Sequence, residues 1–414
     1  MVPGSVLSFF GLFALMALAW LVSADRRLVN WRVAGWGLLL QLLFGAAVFR
    51  APGAARVFEV LNDLFLKVLA AAQEGTRFVF GPLGGPESPS GFILAFQSLP
   101  LIIFFSALMG LLYYWRIMPL LIRGFAWVFT RLMRVSGAES LCTACNIFMG
   151  IESFTSIRPL LARMTRSEYC TILTAGMATV ASSTLGIYVL FLKDVFPGIA
   201  GHLISASVLS APAALVMSKL ILPERGEPVT LNRHLKLEPA GEAGALDAVL
   251  QGATAGLQMA LGIAALLIAF LGLLGLVNMI LAGAGQAAGA DLSLQRLLGY
   301  AFRPLAWLMG VRGEDVTVAG ELLGLRLAAT EIPAYQQLAG AIKAGAFADP
   351  RTPVILAYAL CGFTHVGSLA IFTGGAVALA PDRRVDILAA GPRALAAATL
   401  ACLMTGAIAG VFAR

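Results

Sequence analysis

The fold is decided by residues 146–168, NIFMGIESFTSIRPLLARMTRSE, which place one carboxylate, Glu152, inside a segment that otherwise has a membrane-buried composition. A second stretch, 315–345, carries Glu321, Arg326 and Glu331 among apolar residues. An ionisable side chain inside a bilayer costs about 2.5–3.5 kcal/mol on insertion scales, so it is normally paired, hydrated or bound to a ligand. Both stretches are therefore predicted to surround a polar site within the membrane.

The composition excludes an ordinary soluble domain. Hydrophobic residues make up 59% of the 414 residues and charged residues only 12%, and the mean hydropathy is +0.87. The net charge of +7 is spread over short loops between apolar runs, so it is interpreted as a topology signal and no nucleic-acid partner is expected. The chain is predicted to be a polytopic protein of the lipid bilayer.

Eight uncharged runs are long enough to cross a bilayer, which takes about 17–25 apolar residues. The runs are 1–24, 33–49, 88–115, 169–192, 195–218, 248–290, 352–381 and 394–413. The positive-inside rule places the basic loop 24–32, the seven arginines of 116–168 and the pair Arg383 and Arg384 in the cytoplasm, although 291–351 also carries six basic residues. Both chain termini are then expected on the external side.

The segments 138–167 and 315–345 are too apolar for loops and too polar for ordinary spans, so they are predicted to be re-entrant hairpins. By parity the first starts from the cytoplasm and the second from outside, and each is followed by two spans. Hairpin plus two spans thus repeats with inverted topology, which is typical of alternating-access carriers. Irregular backbone at membrane depth must be buried in protein or line a polar cavity, so the hairpin tips are expected to meet at a site.

Five motifs along the chain resemble the concentrative nucleoside transporters. They are IRPLLARMTRSE (157–168), ASVLSAPAALVMSKLILPE (206–224), LGYAFRPLAWLMGV (298–311), YALCGF (358–363) and GGAVALAPDRR (374–384). The resemblance implies a homotrimer in which each protomer has a scaffold and a mobile transport domain. It also implies import of a nucleoside with a cation, usually sodium, by an elevator-like movement in the bacterial cytoplasmic (inner) membrane.

The predicted fold is therefore an all-α polytopic membrane protein with eight transmembrane helices and two re-entrant helical hairpins in an inverted repeat. The predicted boundaries are 1–49 for helices 1 and 2, 88–135 for scaffold helix 3 with an interfacial helix, 138–222 for the first transport repeat, 248–312 for scaffold helix 6 with external or interfacial helices, and 315–413 for the second transport repeat.

The same resemblance implies a set of substrate-binding residues. They are Gly150, Ile151, Glu152, Thr184, Glu331, Phe363, His365 and Ser368. Independently of the family, Glu331 with Ser368 and His365 can accept and donate hydrogen bonds to vicinal hydroxyls, where a bond to an ionised carboxylate contributes roughly 1.5–3 kcal/mol. These residues are predicted to clamp a ribose.

The sequence departs from the family pattern in the residues that recognise the base. The family's GQTEAP region is one residue shorter here, and Ile151 stands near the glutamine and threonine that read the base. The family's NEFVAY is TEIPAY (330–335), and its GFANFSSIG is GFTHVGSLA (362–370), where His365 replaces an asparagine. Sugar recognition is expected to be partly retained and base recognition altered.

A cation site is also implied by the resemblance. Asn146 and Thr179 would supply side-chain oxygens, and Met149 and Val180 backbone carbonyls, which suit a hard cation such as sodium. A proton remains an alternative coupling ion, because His365 has a reference pKa of about 6.5 and can exchange protons near neutral pH.

Structural roles remain open for several of these residues. Glu331 could pair with Arg326, Glu152 with Arg158 or Arg163, and Asn146 could cap a helix, while Phe363 could pack a helix crossing or stack on a flat ring.

Two other functions remain open: a proton-coupled carrier of a nucleoside-like or other small polar metabolite, and a membrane structural or signalling protein on the same fold. An enzyme is not expected, because no Ser-His-Asp, His-Glu-x-x-His or paired-aspartate arrangement appears.

Overall fold

The computed structural model describes residues 4–85, 88, 91–231, 233, 235, 244–288 and 292–413, and these residues form helices and no strand. The N-terminal part holds α1 (Gly4–Leu21), α2 (Trp31–Arg50), α3 (Ala54–Phe80), a 3₁₀ helix (Gly81–Gly84), α4 (Leu94–Gln97), α5 (Leu99–Tyr114), α6 (Ile117–Val128) and a π-helical turn (Phe129–Met133). Next come α7 (Gly137–Asn146), a 3₁₀ helix (Ile151–Ile157), α8 (Arg158–Leu161), α9 (Arg166–Ala178), α10 (Ser182–Leu192), α11 (Ile199–Ile221), α12 (Ala245–Ala288) and α13 (Leu294–Leu308). The C-terminal part holds α14 (Asp315–Ala328), α15 (Glu331–Lys343), α16 (Arg351–Ala359), α17 (Val366–Leu379), a 3₁₀ helix (Pro381–Arg383) and α18 (Arg384–Phe412).

Seven helical segments of the described chain are long and apolar enough to cross a membrane. They are Gly4–Leu21, Trp31–Arg50, Leu94–Tyr114, Arg166–Leu192, Ile199–Ile221, Ala245–Gln286 and Pro381–Phe412. The eighth predicted span, 352–381, is divided into α16 and α17, and neither part is long enough alone. The predicted all-α polytopic fold is confirmed. No helix is predicted from the sequence for 50–87, where the structure has the long amphipathic helix α3.

The two predicted hairpins are present and each is followed by a broken helix and a continuous one. The first hairpin joins α7 to the 3₁₀ helix and α8, and the helix after it breaks between α9 and α10. The second hairpin joins α14 to α15, and the helix after it breaks between α16 and α17. The order of elements therefore repeats, as predicted, and each repeat brings one hairpin tip and one helix break to the interior.

The repeat helices form the interior and the remaining long helices surround them. The segment Arg166–Leu192 has 83% of its most apolar stretch buried, whereas Ala245–Gln286 has only 17% buried. Large apolar side chains of α12, among them Leu261 and Ile268, are exposed. This distribution is consistent with the predicted scaffold and transport domains, although their boundaries remain a prediction.

A buried ion pair fixes the start of the first hairpin. Ser136 and Glu139 form a capping box that begins α7, and the Lys219 ammonium of α11 lies 2.5 Å from Glu139 Oε1. The same ammonium donates to Ser167 Oγ at 2.9 Å and lies 3.5 Å from Glu224 Oε2. Lys219 thus holds α7, α9 and the end of α11 together.

The second hairpin is anchored in a comparable way by an aspartate. Asp315 begins α14 and is buried. Its two carboxylate oxygens accept the backbone N–H groups of Ala348 and Asp349 at 2.8 and 3.1 Å and the Thr352 hydroxyl at 2.7 Å. The carboxylate therefore joins the start of the hairpin to the start of α16.

We expect Lys219→Met to reduce the free energy of unfolding by about 3–5 kcal/mol, because the change leaves Glu139 buried without its countercharge. The measurement is an SDS titration of the purified protein in mixed micelles, with Lys343→Met as the matched control because Lys343 is exposed. Equal stability of the Lys219 variant and the wild type would contradict the assigned role.

Candidate functional site

Both hairpin tips and both helix breaks meet at one cavity with a volume of about 640 Å³, including the space open to solvent. The cavity is lined by Gly150, Ile151, Ala181, Thr184, Met259, Ile263, Leu266, Leu267, Thr330, Glu331, Ile332, Phe363, His365, Ser368, Ile371 and Phe372. Seven of the eight predicted substrate residues are among them. Glu152 is the exception.

Local backbone structure explains why the polar side chains reach this cavity. Thr330 is the N-cap of α15 and its hydroxyl accepts the backbone N–H of Ile332, so Glu331 occupies the first turn. His365 is the N-cap of α17 in a capping box with Ser368. Thr184 lies in the first turn of α10, directly after the break. Helix N-termini carry partial positive charge and free N–H groups, so they favour a carboxylate such as Glu331.

The Glu331 carboxylate is held on one side and faces a histidine on the other. The Tyr188 hydroxyl donates to Oε1 at 2.9 Å, and His365 Nε2 lies 3.4 Å from Oε2. The second distance is long for an N–H···O bond, and Oε2 has no hydrogen-bond partner in the part of the chain that the structure describes. Oε2 is therefore the free acceptor of the site.

The predicted alternative of a Glu331–Arg326 ion pair is not found among the described residues. Arg326 is fully buried, and its Nη1 donates instead to the backbone carbonyl of Ala359, the last residue of α16. The Tyr335 hydroxyl donates to the Ala357 carbonyl at 2.7 Å. These two side chains satisfy carbonyls that the break after α16 leaves without helical partners.

The hydrogen-bond network assigns the tautomer of His365. Its Nδ1 accepts the backbone N–H of Ser368 at 3.2 Å, so a neutral ring carries its hydrogen on Nε2. Nε2 lies 3.4 Å from Glu331 Oε2 without a hydrogen bond between them. The pair therefore offers one donor and one acceptor side by side.

The hydroxyl groups of Ser368 and Thr184 donate their hydrogens to backbone carbonyls. Ser368 Oγ donates to the carbonyl of Phe363 and lies 2.7 Å from that of His365, and Thr184 Oγ1 donates to the Ala181 carbonyl at 2.9 Å. Both residues line the cavity as predicted, but each can offer a ligand only a lone pair.

Glu152 turns away from the cavity toward its own hairpin. Its Oε2 accepts the Gly150 backbone N–H at 3.1 Å. Arg158 is exposed, and in the described part of the chain no ion pair joins Glu152 to Arg158 or Arg163. The neighbouring Ile151 side chain does line the cavity.

The predicted cation ligands lie beside the first break. Asn146 is fully buried, and its Nδ2 donates to the Cys142 carbonyl at 2.9 Å. Its Oδ1 accepts no hydrogen bond from the described residues. Thr179 Oγ1 donates to the Ala175 carbonyl at 2.8 Å and keeps its lone pairs. Asn146 therefore does not cap a helix N-terminus, and its free oxygen suits a hard cation.

Sequence reasoning missed Tyr188 and the cavity wall contributed by α12. Tyr188 lies one turn after Thr184 on α10, so the spacing of four residues could have indicated a shared face. The α12 residues Met259, Ile263, Leu266 and Leu267 belong to one long uncharged run, in which no local signal separates a cavity-lining side chain from a lipid-facing one.

Comparison with known proteins places these features in a family. Models described as "Na+ dependent nucleoside transporter" match residues 10–83 (N-terminus) and 202–410 (C-terminus), and a "Nucleoside recognition" gate model matches 95–195. An uncharacterized transporter from Haemophilus influenzae is 37% identical over 98% of this chain and 97% of its own. Mouse solute carrier family 28 member 3 is 38% identical, and this chain spans 59% of its length.

Solved structures agree with this assignment. CNTnw in an inward-facing substrate-bound state superposes with a TM-score of 0.90 at 34% identity and covers 99% of both chains. A variant of CNTnw in an outward-facing state also superposes with a TM-score of 0.90, at 34% identity over 99% of this chain and 97% of that one.

Tyr335→Phe should lower the free energy of unfolding by about 1–3 kcal/mol, since the Ala357 carbonyl would remain buried without a donor. The check is the same SDS titration, with Tyr114→Phe as the control because the Tyr114 side chain is 39% exposed. If both variants unfold like the wild type, the hydroxyl does not support the break.

Proposed function

The chain belongs to the concentrative nucleoside transporter family, and we propose that it imports a nucleoside together with sodium across the bacterial cytoplasmic membrane. The family description and the multi-pass helical fold support nucleoside transport by a membrane protein. The alternating-access part of the proposal is supported by the likeness to inward- and outward-facing structures.

The observation that carries the proposal is the Glu331–His365 pair at the cavity. Oε2 of Glu331 is an acceptor without a partner, and the Nε2–H of His365 is a donor next to it. Such an arrangement can bind two neighbouring ribose hydroxyls, because one can donate to the carboxylate while the other accepts from the imidazole. Tyr188 fixes the carboxylate from the opposite side.

The remaining substrate residues take supporting roles in this proposal. Phe363 is half-buried at the cavity wall, and its ring can stack on a nucleobase. Gly150 and Ile151 bring the first hairpin tip against the ligand, and Glu152 orders that tip through the Gly150 amide. Thr184 and Ser368 hold the helix starts on either side.

Sodium is the proposed coupling ion. Asn146 Oδ1 and Thr179 Oγ1 would hold it with the backbone carbonyls of Met149 and Val180. The fit rests on the buried Asn146 oxygen, which has no donor, since oxygen ligands of this kind suit a hard cation. A bound cation would give that oxygen a partner and tie the first hairpin to the first break.

We propose that the two repeats move as one body past the scaffold, as in an elevator, and that the protein forms a homotrimer. The apolar residues of α12 that line the cavity would then act as the stationary wall. The exposed apolar surface of α12 is available for lipid and for contacts between protomers.

Glu331→Gln keeps the shape of the side chain and removes its charge, so nucleoside binding should weaken at least tenfold, the equivalent of about 1.4 kcal/mol. Isothermal titration of the purified protein with uridine and adenosine provides the measurement, and circular dichroism confirms folding. Glu321→Gln is the matched control, because Glu321 does not line the cavity. A well-folded Glu331 variant with wild-type affinity would refute the ribose clamp.

Uptake into proteoliposomes should follow a sodium gradient at fixed pH and should be absent under a proton gradient without sodium. In Asn146→Ala the sodium dependence should be lost, whereas His365→Asn should retain it.

The purified wild type should also gain thermal stability in NaCl relative to choline chloride, because a ligand that binds only the folded state stabilises it, and Asn146→Ala should not. Proton-driven uptake that survives Asn146→Ala and disappears in His365→Asn would replace sodium with a proton.

A further inference from the structure

The cavity has one polar corner and is otherwise apolar. Among its lining residues, Thr184 and Ser368 donate their hydroxyl hydrogens to backbone carbonyls, and Thr330 accepts a backbone amide. Glu331 Oε2 and His365 Nε2 are an acceptor and a donor without a hydrogen-bond partner among the described residues. The other side-chain polar groups of the lining are the Thr330 hydroxyl hydrogen, next to Glu331 in the chain, and the lone pairs of Thr184 and Ser368. A ligand therefore finds its directional hydrogen bonds at one place.

Away from this corner the cavity walls consist of apolar side chains, both on the side of the two repeats and on the side of α12. From the repeats they are Ile151, Ile332, Ile371 and Phe372, and α12 adds further apolar side chains. Ile151 packs directly on Gly375 of α17, where an added Cβ would collide with it. This part of the apolar wall thus belongs to the two repeats and would stay with a ligand if they move as one body, whereas the α12 part would remain with the scaffold.

We propose that the site prefers ribosides whose flat aglycone carries few hydrogen-bonding groups. This inference rests on the nucleoside import proposed above and specifies the substrate class of the same site. With the ribose at Glu331 and His365, the aglycone lies against the apolar wall. Each amine or carbonyl of an ordinary base would lose water there without gaining a protein partner, which is unfavourable. A ring with few such groups avoids that loss.

The inference is tested by calorimetric binding of four ribosides to the purified wild-type protein in sodium buffer. The ligands are benzimidazole riboside, purine riboside, adenosine and inosine, and free benzimidazole controls for partition into detergent. We expect benzimidazole riboside to bind at least tenfold more tightly than adenosine or inosine, with purine riboside between them. Free benzimidazole should not bind. Among uridine, cytidine and adenosine, whose bases are all polar, the affinities should differ by less than a hundredfold.

A pair of variants tests whether the preference for benzimidazole riboside depends on the apolar wall or only on the hydrophobicity of the ligand. Ile151→Gln places an amide at the wall, so the preference for benzimidazole riboside over inosine should fall at least tenfold. Ile151→Val keeps the wall apolar and should retain the wild-type preference, and thermal unfolding confirms that both variants fold.

The outcomes distinguish this inference from the function on which it rests. If adenosine or inosine binds as tightly as benzimidazole riboside, or if Ile151→Gln leaves the ratio unchanged, the apolar preference is wrong and nucleoside import stands. If none of the ribosides binds, nucleoside import is overturned and the inference falls with it.

Discussion

A helix that breaks inside a membrane frees backbone carbonyls, and each must find a donor or a cation because the bilayer core offers no water. At the second break, between α16 and α17, side chains of the protein itself supply the donors. The Tyr335 hydroxyl and the Arg326 guanidinium donate to carbonyls in the last turn of α16. The negative end of the helix dipole adds to the attraction for the guanidinium. This break therefore contains a fixed positive charge and needs no mobile cation.

The first break is left with fewer strong donors. The Cys402 thiol, a weak donor, lies 3.5 Å from the Ala178 carbonyl. The Ser207 hydroxyl donates at 2.8 Å to the Ile147 carbonyl of the first hairpin and lies 3.5 Å from the Val180 carbonyl of the break. No donor among the described residues reaches the Asn146 side-chain oxygen. Two repeats with the same order of elements thus differ in the donors that they supply to the break, and this difference supports the proposed cation at the first break and the proposed polar ligand at the second.

The parts of the site that were predictable from sequence are those that contrast with their neighbours. Glu331 and His365 are polar groups in apolar runs. A polar side chain inside a membrane needs a hydrogen-bonding or charged partner in any fold, so such residues can be identified from the sequence. Tyr188 gives no such contrast, because a tyrosine is common in membrane helices and only the fold brings it to Glu331. The break at 179–181 carries neither proline nor charge, so tertiary contacts determine it. The reason why helix α3 is not predicted is different: its charged residues exclude it from a search for uncharged runs, although its pattern is amphipathic.

His365 shows how one side chain meets two structural demands. Its Nδ1 accepts an amide N–H at the start of α17, which would otherwise lack a partner, and its Nε2 lies 3.4 Å from Glu331 Oε2. An asparagine in this position could also combine an acceptor for the cap with a donor for the cavity. Protonation of the imidazole would place a hydrogen on Nδ1 against the Ser368 amide, and the cap would be lost. A proton carried on this ring would therefore disturb the start of α17 at the substrate cavity, whereas a cation bound at Asn146 leaves that cap intact.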